Sequence, residues 1–143
     1  MTAVPLAQRI YLAILVLGAY SQVVQGILVR EGLVVFYGNE VSLGAFYGSW
    51  LFWLAAGSLL VLRLRRRRFV REALVSVRVL LLSLPALLLA QVLALRGVRT
   101  LLEVSASEFV PLGELLSALF VVTLPSALAL GLAAPAMLAI ALA

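Results

Sequence analysis

The chain has 143 residues, of which 65% are hydrophobic and only 12% are charged, and its formal net charge is +5 at pH 7. Soluble domains average roughly 45–50% apolar and 25% charged residues, so this composition excludes an ordinary soluble protein and indicates one that resides in a bilayer. All eleven basic residues are arginine and all six acidic residues are glutamate, while Lys, Asp, His and Cys are absent.

These absences restrict the chemistry that the chain can carry out. Histidine and cysteine are the usual ligands of haem, zinc, copper and iron–sulfur clusters, so we expect neither a metal nor a cofactor. Ser–His–Asp and Cys–His nucleophilic sites are excluded for the same reason. The sequence also lacks a glycine-rich nucleotide-binding loop and an acid–base pair in a plausible pocket, so we do not expect an enzyme.

Four apolar stretches predict four transmembrane helices, at about 10–29, 42–62, 73–95 and 115–136. Each of the first three has the roughly 20 residues that a helix needs to cross a hydrocarbon core about 30 Å thick. We therefore predict an all-α fold with a single domain, residues 1–143, that forms an integral membrane bundle of four helices.

The last apolar stretch, from Pro111 to Ala143, is longer than one membrane crossing. A continuous helix of this length would measure about 50 Å, so we expect Pro125 and Pro135 to kink it or to end it. An alternative is that the part before Leu119 lies along the outer membrane surface. The stretch finishes without a polar flank, which predicts a helix that is cut short or packed against a partner.

An arginine-rich loop separates the second and third predicted helices. Its arginines are Arg63, Arg65, Arg66, Arg67, Arg68 and Arg71. Short loops rich in arginine stay on the cytoplasmic side, so we predict that this loop and both termini are cytoplasmic, in a multi-pass protein of the bacterial inner membrane. Arginine runs can also bind nucleic acid, but the long apolar flanks argue against it, and we expect no nucleic-acid partner.

Polar residues within and beside the first two predicted helices form the candidate site. They are Gln22, Gln25, Arg30, Glu31, Asn39 and Glu40. Unsatisfied polar groups are costly in lipid, so in one interpretation the glutamines hydrogen-bond to neighbouring helices and Arg30 forms a surface charge cluster with Glu31 or Glu40. Gly38 suits a tight turn between the two helices because glycine adopts positive φ readily. The alternative is a polar cavity with an acidic mouth that attracts a cation or a partner's basic side chain.

Small residues in the second predicted helix indicate close contact with another helix. Gly44 and Gly48 have the GxxxG spacing, and Gly57 follows them. Residues of this size let two helix backbones approach each other in a membrane. Trp50 and Trp53 lie deeper than an interfacial belt, so we expect them to pack against neighbouring helices.

The third predicted helix contains a cation and a proline. Arg78 is expected to extend its side chain back to the cytoplasmic headgroups. Pro85 leaves one backbone carbonyl group without its usual donor, and Ser83 or Gln91 is the expected replacement.

Several of these residues resemble the membrane-spanning N-terminal region of the fused, membrane-bound spermidine synthase-like proteins of bacteria. The matching features are Gln22 and Gln25, Arg30-Glu31, the segment Phe36-Tyr37-Gly38-Asn39-Glu40-Val41-Ser42-Leu43-Gly44, Trp50-Leu51, Gly57-Ser58, and the segment from Leu124-Pro125 to Ala134-Pro135. In that family the membrane part looks like part of a transporter-like bundle, and a soluble aminopropyltransferase-like domain follows it. This chain departs from that pattern, because it has four spans, no Asp and no such domain. The resemblance thus implies a membrane scaffold, and an affinity of the Glu31–Glu40 region for cations such as polyamines, without the catalysis.

The expected function is that of a non-catalytic membrane subunit that anchors or assembles a larger complex, in contact with lipid and with other membrane protein subunits. The alternative is a small transporter, or half of one, that works as a homo-oligomer on a cationic solute such as a polyamine. No acidic residue lies in the middle of a predicted helix, and cation exchangers usually need one there, which favours the first function.

Overall fold

The computed structural model describes residues 6–38, 40–63, 67–102 and 110–141, with side chains for 8, 11–38, 40–63, 82–102 and 110–138. The described residues form four helices, α1 (Leu6–Val35), α2 (Glu40–Arg63), α3 (Arg67–Leu101) and α4 (Leu112–Ala141), and no strand. The predicted all-α fold is confirmed for this part of the chain. Each helix is long and apolar enough to cross a membrane, with candidate spans of 25, 24, 20 and 27 residues.

The helices continue beyond the apolar stretches that predict them. α3 has 35 residues and would measure about 52 Å, against a hydrocarbon core of about 30 Å. A helix satisfies its own backbone hydrogen bonds in water as well as in lipid, so the end of an apolar stretch does not end the helix. The predicted loop is therefore too long: Arg63 ends α2, Arg67, Arg68 and Arg71 belong to α3, and Arg65 and Arg66 lie outside the described residues.

α4 runs through both of its prolines. It has 30 residues, with Pro125 and Pro135 inside it. The expectation that a proline ends this helix is wrong, because α4 is continuous from Leu112 to Ala141. A kink at either proline, and the placement of the part before Leu119 on the membrane surface, stay predictions. Each proline removes only one backbone hydrogen bond, and a side chain of α2 replaces one of them, as described below.

The bundle contains two parallel pairs of neighbouring helices. α2 and α4 run in the same direction and make the most extensive contact, while α1 runs beside α3 in the same direction. α3 and α4 also pack together, along antiparallel directions. The largest side chains with less than 2% of their surface exposed belong to Trp50, Leu28, Leu84, Leu95 and Leu119. All four helices therefore contribute to one apolar core.

The two ends of the bundle differ in charge. At one end, which we call the polar end, α1 and α3 finish near Glu31 and Arg96, and α2 begins at Glu40. At the opposite end, which we call the arginine end, α2 finishes at Arg63 and α3 begins at Arg67.

α1 ends in a turn with two residues of left-handed backbone. Tyr37 has φ of 57° and Gly38 has φ of 49°. The N–H of Gly38 donates to the carbonyl oxygen of Leu33 at 2.8 Å, which is the six-residue hydrogen bond of a Schellman motif. Positive φ at Gly38 is confirmed, whereas Tyr37 occupies a conformation that costs a non-glycine residue about 1–2 kcal/mol. Asn39 lies outside the described residues.

Candidate functional site

Two helices of the bundle approach each other closely at Gly57 of α2 and Gly131 of α4. A Cβ atom added at Gly57 would lie 2.7 Å from the carbonyl oxygen of Leu128, and one added at Gly131 would overlap the carbonyl oxygen of Leu54. Because these are backbone atoms, no change of rotamer relieves the overlap. Gly57, which the sequence predicts as a packing residue, thus lies in a helix contact. Gly131 was missed, since no GxxxG spacing marks it.

Ser58 supplies a hydrogen bond that Pro135 removes from α4. In a regular helix the carbonyl group of Gly131 accepts from the N–H of residue 135, and proline has no N–H. The Ser58 hydroxyl lies 3.1 Å from that carbonyl oxygen and 2.9 Å from the carbonyl oxygen of Leu54, so its one proton is shared between two acceptors. A side chain of α2 therefore satisfies a backbone group of α4, which allows α4 to continue past its second proline.

We expect Ser58→Ala to lower the free energy of unfolding by about 1 kcal/mol, because hydrogen bonds between membrane helices contribute roughly 0.6 kcal/mol on average and about 1.7 at most. In a Pro135→Ala background the helix regains its own donor to Gly131, so the same change should cost almost nothing. A double-mutant cycle measured by denaturation in mixed micelles checks this. Equal costs in the two backgrounds would mean that Ser58 does not compensate for Pro135.

Trp50 and Trp53 both pack against neighbouring side chains and helices, as predicted. Trp50 is buried, and its ring stacks on that of Phe46 with 5.9 Å between the centroids. The indole N–H of Trp53 donates to the carbonyl oxygen of Phe120 at 2.8 Å, and its ring centroid lies 4.6 Å from that of Phe120. Trp53 thus joins α2 to α4 with both a hydrogen bond and a ring contact.

A buried polar cluster joins α3 to α4, and sequence reasoning missed it. Gln91 is 4% exposed and Ser126 is fully buried. The Gln91 amide donates to the carbonyl oxygen of Val122 at 2.5 Å and accepts from the Ser126 hydroxyl at 2.5 Å. Gln91 therefore bonds to α4 and not to the carbonyl freed by Pro85 within its own helix. The signal was a glutamine in the middle of an apolar stretch, although the sequence does not show which helix faces it.

Glu31 forms a bidentate ion pair with Arg96. The Arg96 Nε donates to Oε2 of Glu31 at 2.8 Å, and Nη2 donates to Oε1 at 3.0 Å. The Arg96 side chain is 63% exposed and that of Glu31 is 17% exposed, so the carboxylate is the better covered partner. The prediction gave Arg30 as a partner of Glu31 because it considered only charges close in sequence, and Arg30 contributes only a longer-range attraction. The pair instead links the end of α1 to the end of α3.

Arg99 lies over the end of α1. Its Nη1 donates to the carbonyl oxygen of Val35 at 3.1 Å, and its guanidinium carbon lies 4.7 Å from the ring centroid of Tyr37. The last carbonyl groups of a helix lack partners within it, and a cation there is favourable. A cation–π contact contributes about 0.5–1 kcal/mol at an exposed site, which offsets part of the cost of the left-handed Tyr37 backbone.

The structure does not bring the remaining polar residues of the candidate site together. Gln22, Arg30 and Glu40 are exposed, and Gln25 is half-buried. Among residues with described side chains, none of these four has a side-chain hydrogen bond or an ion pair within 4 Å. These four side chains thus make no polar contact with one another, and the polar cavity stays a prediction.

Two spaces between the described helices are lined mainly by apolar groups. A small, partly open cavity of about 10 Å³ lies near the polar end, beside Gly32, Phe46 and Leu119, and a space of this size holds one water molecule at most. A broad, open groove runs between α2 and α4. This α2–α4 groove is lined by Val41, Gly44, Ala45, Gly48, Ser49, Phe52, Leu112, Leu116 and Phe120.

Gly44 and Gly48 do not pack against another helix of the same copy. Both are exposed in the α2–α4 groove, and a Cβ atom added at either would meet no atom within 4 Å. The predicted GxxxG contact is thus not made within the described bundle. It stays a prediction for contact with another chain.

The described side chains do not offer a metal centre, since no three acidic, His or Cys residues lie close enough together to hold an ion. No protein-family model, no curated protein and no solved structure matches this chain. The resemblance to the spermidine synthase-like proteins therefore stays a prediction.

Proposed function

We propose that this chain is a non-catalytic integral membrane subunit that anchors or assembles a larger membrane complex. The supporting observation is that polar side chains of the bundle join one helix to another. Glu31 is held by Arg96, and Gln91 is bonded to Ser126 and to backbone of α4. Polar groups placed in this way join helices to one another, as a structural subunit requires.

The surface of α1 is consistent with a role in assembly. In the 18-residue window that defines each candidate span, only 17% of the residues of α1 are buried inside the bundle, against 50% for α4. Exposed apolar side chains on α1 include Tyr11, Leu15 and Val34. Lipid or another membrane protein has to cover this surface, and an assembling subunit needs such a face.

In the proposed orientation the arginine end faces the cytoplasm of a bacterium, so that the inner membrane contains the protein and both termini are cytoplasmic. Arginine is retained on the cytoplasmic side of membranes. At the polar end, the described arginines Arg30, Arg96 and Arg99 are matched in number by Glu31, Glu40 and Glu114, so the described residues there carry no net charge.

Purification from native membranes in a mild detergent tests the assembly function. We expect other integral membrane proteins to co-purify with the chain in a fixed molar ratio that persists through size-exclusion chromatography. A chain that purifies without any other protein, from membranes in which it is expressed at its natural level, would contradict the proposal.

A transporter for a cationic solute is the second candidate, and one observation favours it. Glu40 is exposed at the polar end, with no ion pair to any described side chain. In liposomes that contain only this chain, we expect spermidine uptake no greater than in empty liposomes. Uptake that Glu40→Gln abolishes, and that Glu114→Gln at a half-buried carboxylate of α4 leaves intact, would replace the assembly function with transport.

A further inference from the structure

We infer that α1 of one copy packs against α2 of a second copy of this chain, in an antiparallel register that places Gly26 opposite Gly44. The exposed faces of the two helices are complementary in charge and in size. This pairing does not depend on the proposed function, because a scaffold subunit and a transporter can both be homo-oligomers.

The exposed face of α1 contains a stripe of residues with a spacing of four. Its members are Gly18, Gln22, Gly26 and Arg30, and all of them are exposed. Residues four apart in a helix lie on one face. Cβ atoms added at Gly18 and Gly26 would meet nothing within 4 Å. The stripe therefore has no side chain projecting from the helix at its two glycines, and its last residue, at the polar end, is a cation.

The exposed face of α2 contains a matching stripe. Its members are Glu40, Gly44, Gly48 and Phe52, again four residues apart and all exposed. Three of them line the α2–α4 groove, in which Leu112, Leu116 and Phe120 of α4 form the opposite wall. This stripe also has no side chain projecting from the helix at its two glycines, but its residue at the polar end is a carboxylate.

Within one copy, the consecutive helices α1 and α2 run in opposite directions across the bundle. When two copies have the same orientation in a membrane, α1 of one copy is therefore antiparallel to α2 of the other. Both stripes have their charged residue at the polar end. An antiparallel contact between the helices therefore places Arg30 of one copy opposite Glu40 of the other. Neither side chain has an ion pair shorter than 4 Å to a described residue of its own copy. Arg30 has only a longer-range attraction to Glu31, which Arg96 already binds, so each is available for this pairing.

The sizes of the facing residues also match in this register. When Arg30 lies opposite Glu40, the residues four, eight and twelve positions before Arg30 lie opposite those four, eight and twelve positions after Glu40. Small residues let helix backbones approach closely in lipid. Phe52, the one aromatic residue in the two stripes, lies opposite a glycine. The facing pairs are Gly26 with Gly44, Gln22 with Gly48, and Gly18 with Phe52.

Gln22 provides an independent reason for a partner on this face. It lies nine residues before Glu31 in α1, which is about 13 Å along the helix axis. In a bilayer it would therefore lie near the middle of a hydrocarbon core about 30 Å thick, where an unsatisfied amide is costly. Its side chain is exposed and makes no hydrogen bond to a described residue. Opposite Gly48, which has no side chain to occupy the space, the amide would be covered by α2 of the second copy and removed from lipid.

A symmetric contact between two α2 helices is the obvious competitor, because Gly44 and Gly48 form a GxxxG pair. That contact would bring Glu40 of one copy towards Glu40 of the other, and like charges repel. It would also leave Gln22 exposed to lipid. Charge complementarity thus favours α1 of a second copy over a second α2.

Disulfide cross-linking distinguishes these contacts, because the natural chain has no cysteine. Purified Gly26→Cys and Gly44→Cys chains, each with its own tag, are reconstituted together in liposomes and oxidised. We expect a disulfide-linked dimer that contains both tags, and little self-linked dimer from either chain alone. A Gly97→Cys chain, altered outside both stripes, serves as the positional control and should not link to Gly44→Cys. Self-linked Gly44→Cys dimers as the main product, or no link in the mixture, would overturn the pairing.

Charge reversal provides the second measurement. Arg30→Glu in the Gly26→Cys chain should lower the cross-linked fraction roughly fivefold, the effect of about 1 kcal/mol for an exposed ion pair. Glu40→Arg in the Gly44→Cys chain should do the same, and the two reversed chains together should restore the link. Tryptophan fluorescence of Trp50 and Trp53 reports that each variant keeps its fold. A link that survives single reversal, or that the double reversal does not restore, would overturn the pairing. Neither result bears on whether other proteins co-purify from native membranes.

Discussion

Adding one methyl group at Gly57, or one at Gly131, should lower the free energy of unfolding by about 3 kcal/mol or more. Overpacking usually costs roughly 1–3 kcal/mol when neighbouring side chains can move. Here the added Cβ of Gly57→Ala would lie 2.7 Å from the carbonyl oxygen of Leu128, and that of Gly131→Ala would overlap the carbonyl oxygen of Leu54. The overlap between the added Cβ and the backbone is removed only if α2 and α4 separate. That separation also disturbs the hydrogen bond from Ser58 to Gly131. We therefore expect an effect at the upper end of that range.

Gly97→Ala is the matched control for these two changes. Gly97 lies in α3, and a Cβ atom added there would meet nothing within 4 Å. Alanine is favoured over glycine in a helix interior by about 0.5–1 kcal/mol, so this variant should be as stable as the natural chain or slightly more stable. Denaturation in mixed micelles, followed by the fluorescence of Trp50 and Trp53 on α2, measures all three. Similar stabilities for the three variants would show that α2 and α4 are not in backbone contact.

The number of helices and their approximate positions can be predicted from the apolar stretches of the sequence. Four stretches of sufficient length predict four helices, and the structure has four helices in the described residues. The ends of the helices could not be predicted in the same way. Hydropathy reports where the apolar environment ends, whereas α3 begins at Arg67 and includes charged residues, because a helical backbone needs no lipid to remain hydrogen-bonded.

Contacts between helices were less predictable, because they depend on which helices become neighbours. The sequence marks Gly57 as a small residue in an apolar helix, but not Gly131 as the residue that it meets. It marks Glu31 as a charge near a helix end, but the partner, Arg96, lies 65 residues further along the chain. Single residues thus indicate that a contact is needed, and only the packing of the bundle determines its partner.

Prolines and glutamines in apolar helices are useful signals for this reason. Pro135 predicts that a carbonyl group one turn earlier needs a donor, and the donor is Ser58 on another helix. Gln91 predicts a hydrogen bond in the apolar interior, and its partners lie on α4. Gln22 gives the same signal without a partner among the described residues of its own copy, and it is therefore the residue that most directly points outside one copy.

Gln91→Glu should make the stability of the bundle depend on pH. The neutral acid has the shape of the amide, so it can still donate to the carbonyl oxygen of Val122 and accept from Ser126. The carboxylate has no proton to donate, and a charged side chain in the middle of a membrane helix costs about 3 kcal/mol by insertion scales. The folded state therefore retains the proton that the unfolded state releases to water, and unfolding becomes more favourable as the pH rises. We expect near-natural stability at pH 4 and a loss of about 3 kcal/mol at pH 8.

Gln91→Leu separates the loss of the hydrogen bonds from the introduction of a charge. It removes both bonds and adds no titratable group, and the Ser126 hydroxyl can turn to a carbonyl of its own helix. Its cost should stay near 1 kcal/mol, within the range of roughly 0.6–1.7 kcal/mol for hydrogen bonds between membrane helices, and should not change with pH. Denaturation of both variants and the natural chain at pH 4, 6 and 8 provides the comparison. If Gln91→Glu is as stable at pH 8 as at pH 4, then water reaches residue 91, and α3 and α4 do not enclose it as the structure indicates.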